Sequence, residues 1–294
     1  MFISELKALL FFGVKVFFHS ILSIFFRDVQ VVGRHNIPRY GPVIFTTNHA
    51  NQFIDSVMVL CTCERKISFL IAEKSWRRPI VGDIAWAMDA VPVKRAQDAA
   101  VKGTGTISMT STNTDGEMTV VQVKGTDTLF SSESKVGDKI RPSGIATQFK
   151  IMSIESDTEM QVDALDLGQQ PLPEGSLSFD ILRRVEQKIV FEKVLDKLAS
   201  GGAIGIFPEG GSHDRTDLLP LKVGVALIAY EALVKDGINI PIVPVGLNYF
   251  SRHRFRGGVV VEYGPPVYID PSTLKGYTAG GAEKRRVCTE LLDR

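Results

Sequence analysis

Three short stretches carry side chains able to do chemistry together. Thr46-Thr-Asn-His-Ala-Asn-Gln-Phe-Ile-Asp55 holds His49 and Asp55. An imidazole titrates near neutral pH, so His49 can accept a proton, while a carboxylate can fix its tautomer and stabilise the imidazolium. On its own the pair fits equally a strand-to-helix turn with Asp55 in the first helical turn, where carboxylates are favoured. The second stretch is Phe207-Pro-Glu-Gly-Gly-Ser-His-Asp-Arg-Thr-Asp217. Gly210 and Gly211 let backbone N–H groups approach an anion. Ser212, His213, Arg215 and, further on, Lys222 are phosphate ligands by type, although a polar loop with solvated charges has the same composition. Third, Val91-Pro-Val-Lys94-Arg95 sets two cations at the end of an apolar run. In isolation that is an ordinary surface pair.

Such stretches need a frame, and hydrophobic periodicity supplies one. The spacing predicts strands over 42–46, 66–72, 90–93, 203–207 and 240–245, with late strands at 259–263 and 267–269. It predicts helices over 52–63, 185–198 and 222–234, the second stopped by Ser200-Gly-Gly202. Short apolar strands alternating with helices give an α/β fold, a mainly parallel sheet covered by helices on both faces. All three stretches then lie at strand ends, where such sheets bind ligands.

Residues 98–184 break the pattern. Gly, Thr, Ser and Asp are abundant, and 136–140, 148–155 and 160–165 alternate like short strands between turns. They predict an all-β insertion, a small barrel or sandwich. The expected organisation is a helix over 1–28, an α/β domain in two pieces (29–97 and 185–294), and the insertion 98–184 between them.

The opening helix is unusually greasy. Residues 8–26 read ALLFFGVKVFFHSILSIFF, nearly the ~20 apolar residues of a spanning helix, but with Lys15 and His19 inside. Lys15, His19 and Ser23 are four apart and share a face. That pattern predicts a membrane-associated helix lying in the interface or dipping into one leaflet. It does not predict a cleaved signal, because Glu5 sits where basic residues are expected and no small-x-small site follows. Over the whole chain, 34 basic against 33 acidic residues give a net charge of +1, which argues against a nucleic-acid binder working by charge. Three cysteines cannot build a disulfide framework. No second Cys or His pair lies at metal spacing from Cys61 and Cys63, so no metal is expected.

Taken in order, the motifs resemble those of the glycerolipid acyltransferase family, the glycerol-3-phosphate and 1-acylglycerol-3-phosphate (lysophosphatidic acid) acyltransferases. Asn48-His49 with Asp55, Val93-Lys94-Arg95, Phe207-Pro208-Glu209-Gly210 and Ile242-Val243-Pro244-Val245 match the family's four motifs. There are two departures. Five residues rather than four separate His49 from Asp55, and Ser212 stands where the family often has an arginine. Both look like the fungal-type branch that acylates glycerol-3-phosphate and dihydroxyacetone phosphate. That branch accepts an insertion between the second and third motifs and is bound to the endoplasmic reticulum.

The resemblance implies acyl transfer from acyl-CoA, as co-substrate, to a hydroxyl of glycerol-3-phosphate or dihydroxyacetone phosphate. The reaction would run at a membrane lipid surface, with a cytosol-facing site and no cofactor or metal. His49 would be the base and Asp55 its partner. Arg95, Glu209, Gly210, Ser212, His213, Arg215 and Lys222 would hold the acceptor phosphate and head. The alternatives are lysophosphatidic acid as acceptor, a hydrolase using the same His/Asp pair on water, and a non-catalytic membrane adaptor. The branch continues into further membrane helices, and this chain ends inside an apparent helix, so a fragment of a longer protein is expected.

Overall fold

The computed structural model describes residues 2–51, 53–94, 98, 100–112, 120–145, 147–163, 172, 175–184, 188–213, 217–250 and 254–293. The chain opens with α1 (Phe2–Phe25), β1 (Phe26–Val32), β2 (Val43–Thr47), α2 (Ile54–Thr62), β3 (Ile67–Ala72), α3 (Glu73–Trp76), α4 (Val81–Ala87) and β4 (Val91–Val93). There follow β5 (Ala100–Lys102), β6 (Thr106–Thr112), β7 (Val120–Thr126), α5 (Phe130–Glu133), β8 (Lys139–Pro142), β9 (Phe149–Ile154), β10 (Glu159–Asp163) and β11 (Phe179–Leu182). It closes with α6 (Lys188–Ala199), β12 (Ala203–Ile206), α7 (Gly224–Asp236), β13 (Ile242–Phe250), β14 (Gly257–Tyr263), α8 (Leu274–Ala279) and α9 (Gly281–Leu292). Two compact units result, one of Met1–Val93 with Gln187–Arg294, the other of Lys94–Glu186.

The first unit is an α/β domain on a seven-stranded sheet ordered β1-β14-β13-β2-β12-β3-β4. Its neighbouring strands run parallel except for the antiparallel β13–β14 pair. Successive strand residues point to opposite faces, so Ile44 and Phe45 enter different cores. Ile44 and Ile204 pack with Val194, Leu198, Ala226 and Leu291 from the α6, α7 and α9 side. Phe45 and Val243 pack with Phe18 of α1 and Val57 and Met58 of α2 on the other. The three cysteines are free. Burial raises the Cys61 thiol to about 11, against the lowering charge of Lys15, so it stays protonated near neutral pH.

Two expectations need correcting. The opening helix ends at Phe25, short of residue 28, because Phe26–Val32 pairs in parallel with β14. That strand is half exposed and carries Arg27, Asp28 and Gln30, which masks its apolar alternation. Residues 267–269 are no strand. Val267 makes a single bridge to Ile242. On the polar face of α1, Lys15 turns toward the domain. Its ammonium donates to the carbonyl of Cys63 at 2.9 Å, one residue past the end of α2. That carbonyl belongs to the helix's negative end, so the charge is favoured there. The helix docks through Val14, Lys15, Phe18, Ile21 and Leu22, leaving Leu9, Phe12, Val16, Phe17 and Ile24 exposed. Residues 5–25 are long and apolar enough to cross a membrane.

A charge cluster fastens the start of this helix. Asp89, in the turn before β4, accepts from Lys7 of α1 at 2.6 Å and from Lys197 of α6, with Lys66 3.9 Å away. Burial pushes the Asp89 carboxyl up, but the bonds from Lys197 and Lys7 outweigh it and hold the pKa down at about 2.

The second unit is a β sheet, with the one-turn α5 between β7 and β8, ordered β5-β11-β8-β9-β10-β7-β6 with its pairings antiparallel. A bridge between Ile107 of β6 and Leu177, just ahead of β11, brings the sheet back on itself. Phe130, Ile140, Phe149, Ile151, Met160 and Phe179 fill the interior with apolar side chains.

Candidate active site

Strand register assembles the site. Thr46 of β2 lies level with Ile206 of β12, the two strands running parallel. Three residues further along each chain come His49 and Glu209, so the loops leaving neighbouring strands meet. The backbone N–H of His49 donates to Glu209 Oε1 at 2.8 Å. On the other side of β2, Thr47 is level with Val245 of β13. The Asn48 amide extends this pairing: its Nδ2 donates to the Leu247 carbonyl at 3.0 Å and its Oδ1 accepts from the Leu247 N–H at 2.7 Å. The asparagine side chain thereby stands in for a strand neighbour beyond the end of β2.

His49 lies in the loop, not on the helix, and α2 begins at Ile54. Asn51 Oδ1 accepts from the Phe53 and Ile54 amides at 3.2 and 3.3 Å, satisfying N–H groups that a helix start leaves open. Asp55 sits in the first turn with its side chain fully buried. Its Oδ2 lies 3.0 Å from His49 Nδ1 and accepts the Asn51 amide at 2.6 Å. Because the histidine precedes the helix, the five-residue spacing is absorbed in the loop. Nδ1 is committed to the carboxylate, which leaves Nε2 as the nitrogen that can take a proton from a substrate.

The imidazole plane is fixed by stacking. Its ring lies 3.9 Å from the Phe207 ring at 22°, and Phe207 stacks in turn on Phe69 of β3 at 5.8 Å. Phe69 reaches that place because Gly205 is its neighbour on β12: a Cβ there would meet the Phe69 ring at 2.4 Å.

Glu209 is a brace. Its side chain is nearly sealed from solvent. Oε1 takes the His49 amide, while Oε2 takes the Leu219 amide at 2.9 Å and the His213 ring. Burial raises this carboxyl, but the bonds from His213, Leu219 and His49 outweigh it and hold it below the usual carboxylate range. His213 also donates its backbone N–H to the His49 carbonyl at 3.1 Å. Its ring is thus engaged with Glu209. Gly210 has φ +75 and lies under the Lys222 side chain, where a Cβ would sit 2.2 Å from Nζ. The Lys222 amide donates to the Pro208 carbonyl, which anchors that lysine over the turn. Ser212 is exposed beside it. Arg95 and Arg215 fall outside the described residues.

One site residue escaped the sequence reading. Tyr249 of β13 donates its hydroxyl to Asp55 Oδ1 at 2.7 Å. Asp55 therefore accepts from the His49 ring, the Asn51 amide and the Tyr249 phenol together. Residues 243, 245, 247 and 249 share one face of β13. Extending the apolar alternation of 240–245 by four residues would have found Tyr249 on the buried side.

The sequence resembles those of known acyltransferases. The acyltransferase family profile matches residues 28–135 and 176–248. An uncharacterised acyltransferase of Schizosaccharomyces pombe is 38% identical over 277 residues, covering 90% of this chain and 40% of that protein. Glycerol-3-phosphate O-acyltransferase 1 of Saccharomyces cerevisiae is 36% identical over 300 residues, covering 99% and 39%. The crystal structure of the 1-acyl-sn-glycerophosphate acyltransferase of Thermotoga maritima is 15% identical, with a TM-score of 0.49 over 98% of this chain and 78% of that one. The chain spans about two fifths of the length of the yeast relatives it matches. With its profile matched over more than half of the chain and a relative 38% identical over 90% of it, this chain belongs to the acyltransferase family.

Proposed function

We propose that the α/β unit transfers the acyl group of acyl-CoA to a hydroxyl of glycerol-3-phosphate, and to dihydroxyacetone phosphate as a second acceptor. The observation that carries this reading is the Asp55–His49 pair, with Nδ1 tied to the carboxylate at 3.0 Å. His49 Nε2 accepts the acceptor's hydroxyl proton, and the alkoxide attacks the thioester carbonyl. As the C–S bond breaks, the imidazolium returns its proton to the CoA thiolate. Asp55 stabilises the imidazolium in between. Holding both substrates in reach of one base lowers the barrier further by orientation. Lys222 over Gly210, together with Ser212, His213, Arg215 and Arg95 of the second and third motifs, supplies cations and donors for the acceptor phosphate. A small phosphate ester needs such directed contacts because it has no chain to bury. The scheme calls for no cofactor beyond acyl-CoA.

Membrane association follows from the exposed apolar back of α1. The branch resemblance points to the endoplasmic reticulum, with the site on its cytosolic side. The all-β unit has no assigned part in the reaction. The test is thiol release from one acyl-CoA against a panel of acceptors. Release that depends on glycerol-3-phosphate supports the proposal. Preference for lysophosphatidic acid would identify that lipid as acceptor. Release without any acceptor means a hydrolase, and no release means an adaptor.

A further inference from the structure

The strand directions put one aromatic and basic rim at the same end of the sheet as His49. β2 runs toward His49, and β13 is parallel to it, so Phe250 lies at that end. β14 is antiparallel to β13 and starts there, with Gly258 level with Phe250. β1 is parallel to β14 and also starts there, with Phe26 level with Gly257, immediately after α1. The end of α1 is tied to this hairpin: the Arg256 N–H donates to the Phe25 carbonyl at 2.8 Å, and the Phe25 and Phe255 rings meet edge-on at 5.9 Å.

What this rim shows to solvent is unusual. Phe25, Phe250 and Phe255 are 55%, 60% and 67% exposed, and Arg27, Arg254 and Arg256 are exposed beside them. Among the described residues of this rim the acid is Asp28, so their balance is basic. Water disfavours three large apolar rings on one rim, and a folded core has no use for them there. Aromatic rings flanked by arginines suit the headgroup layer of a bilayer: the rings enter the acyl boundary and the guanidinium groups stay at the phosphates. The rim also continues from the apolar back of α1.

We infer that the β13–β14 hairpin is a second membrane contact, specific for an anionic lipid surface, which turns the His49 end of the sheet toward the bilayer. The inference deepens the membrane association proposed above and rests on it. A site facing the lipid can meet the thioester of an acyl-CoA whose chain is still held by the membrane, while the phosphate acceptor arrives from water.

Vesicle flotation of the full chain tests this, using phosphatidylcholine alone and phosphatidylcholine with phosphatidylserine. Phe250→Ser with Phe255→Ser is expected to weaken binding to both compositions by about tenfold, the effect of losing partial ring burial. Arg254→Gln with Arg256→Gln is expected to weaken binding only to the serine-lipid vesicles, by about fivefold for each arginine. Thermal unfolding of each variant reports whether the fold is kept. If the aromatic pair melts early, the arginine pair, which is fully at the surface, decides. Binding equal to wild type in the folded variants overturns the inference, and leaves another occupant such as a protein for the rim. A wild-type chain that floats with neither vesicle overturns the membrane reading itself, and the hairpin contact with it. Neither readout depends on which acceptor is acylated, so the acceptor assignment stands or falls separately.

Discussion

Glu209 Oε1 accepts the backbone N–H of His49 at 2.8 Å, across 160 positions of sequence. The third motif thus holds the first one in place. Its other oxygen takes Leu219 and His213, so one buried carboxylate joins the loops after β2 and β12 at His49.

Substitution of that carboxylate by its amide should be costly. Glu209→Gln keeps one acceptor oxygen and turns the other into a donor facing N–H groups. A buried N–H left unpaired costs about 1–3 kcal/mol, so the melting temperature should fall by several degrees and turnover with it. The pH dependence has a definite sign. The folded carboxyl is held below its ordinary value, so its contribution is full above the unfolded pKa and fades as pH falls through the folded one. Acid unfolding of wild type and variant should converge at low pH. A variant as stable as wild type at neutral pH would show that the brace is dispensable.

Removing the base or its partner should leave a folded but nearly inactive protein. His49→Ala should lower turnover by at least about 10²-fold, the lower range for loss of a general base. Asp55→Asn should do nearly as much. Steady-state thiol release decides it: activity within a few-fold of wild type in either variant removes the pair from the mechanism.

Tyr249→Phe tests the third member. The phenol stabilises the Asp55 carboxylate. Without it one buried carboxylate oxygen loses its partner, and the His49–Asp55 pair is less firmly positioned. kcat should therefore fall by about tenfold, consistent with loss of a hydrogen bond to a charged group. KM for the acceptor should change little. A kcat equal to wild type would make the tyrosine a packing residue only.

Gly205→Ala should act through the stack. The new methyl group would push on Phe69, whose ring carries Phe207 and, through it, His49. Overpacking of this kind costs about 1–3 kcal/mol. Calorimetry should show the loss, and turnover should fall further than stability alone explains, because the imidazole tilts.

Asp89→Asn should loosen the start of α1. The wild-type carboxyl is held at about 2 by Lys197 and Lys7 against burial. Its stabilisation is therefore complete above the unfolded pKa, near 4, and is lost as pH falls toward 2. At neutral pH the cluster contributes about 1–2 kcal/mol. Denaturant midpoints of wild type and variant, compared at pH 7 and pH 3, should differ more at the higher pH.

Much of this molecule is written locally. Alternation of apolar strands with helices specified the α/β class, because periods of 2 and 3.6 are properties of short windows. The motifs around His49, Asp55 and Glu209 named side chains that the fold brings together, and the Gly- and Thr-rich stretch marked the β unit as foreign to its surroundings. Other features depend on what lies across the sheet. FRDVQVV forms a strand only because β14 offers it a parallel partner; alone, its charged residues hide the alternation. Lys15 looked like part of a polar stripe, yet it is drawn inward by the carbonyl of Cys63, which no helical wheel contains. His49 meets Glu209 because Thr46 is level with Ile206, and Tyr249 meets Asp55 because Asn48 extends the pairing of β2 with β13. Register is a relation between distant segments. Residue types and spacing therefore name the candidate groups, while only the folded sheet decides which of them touch His49.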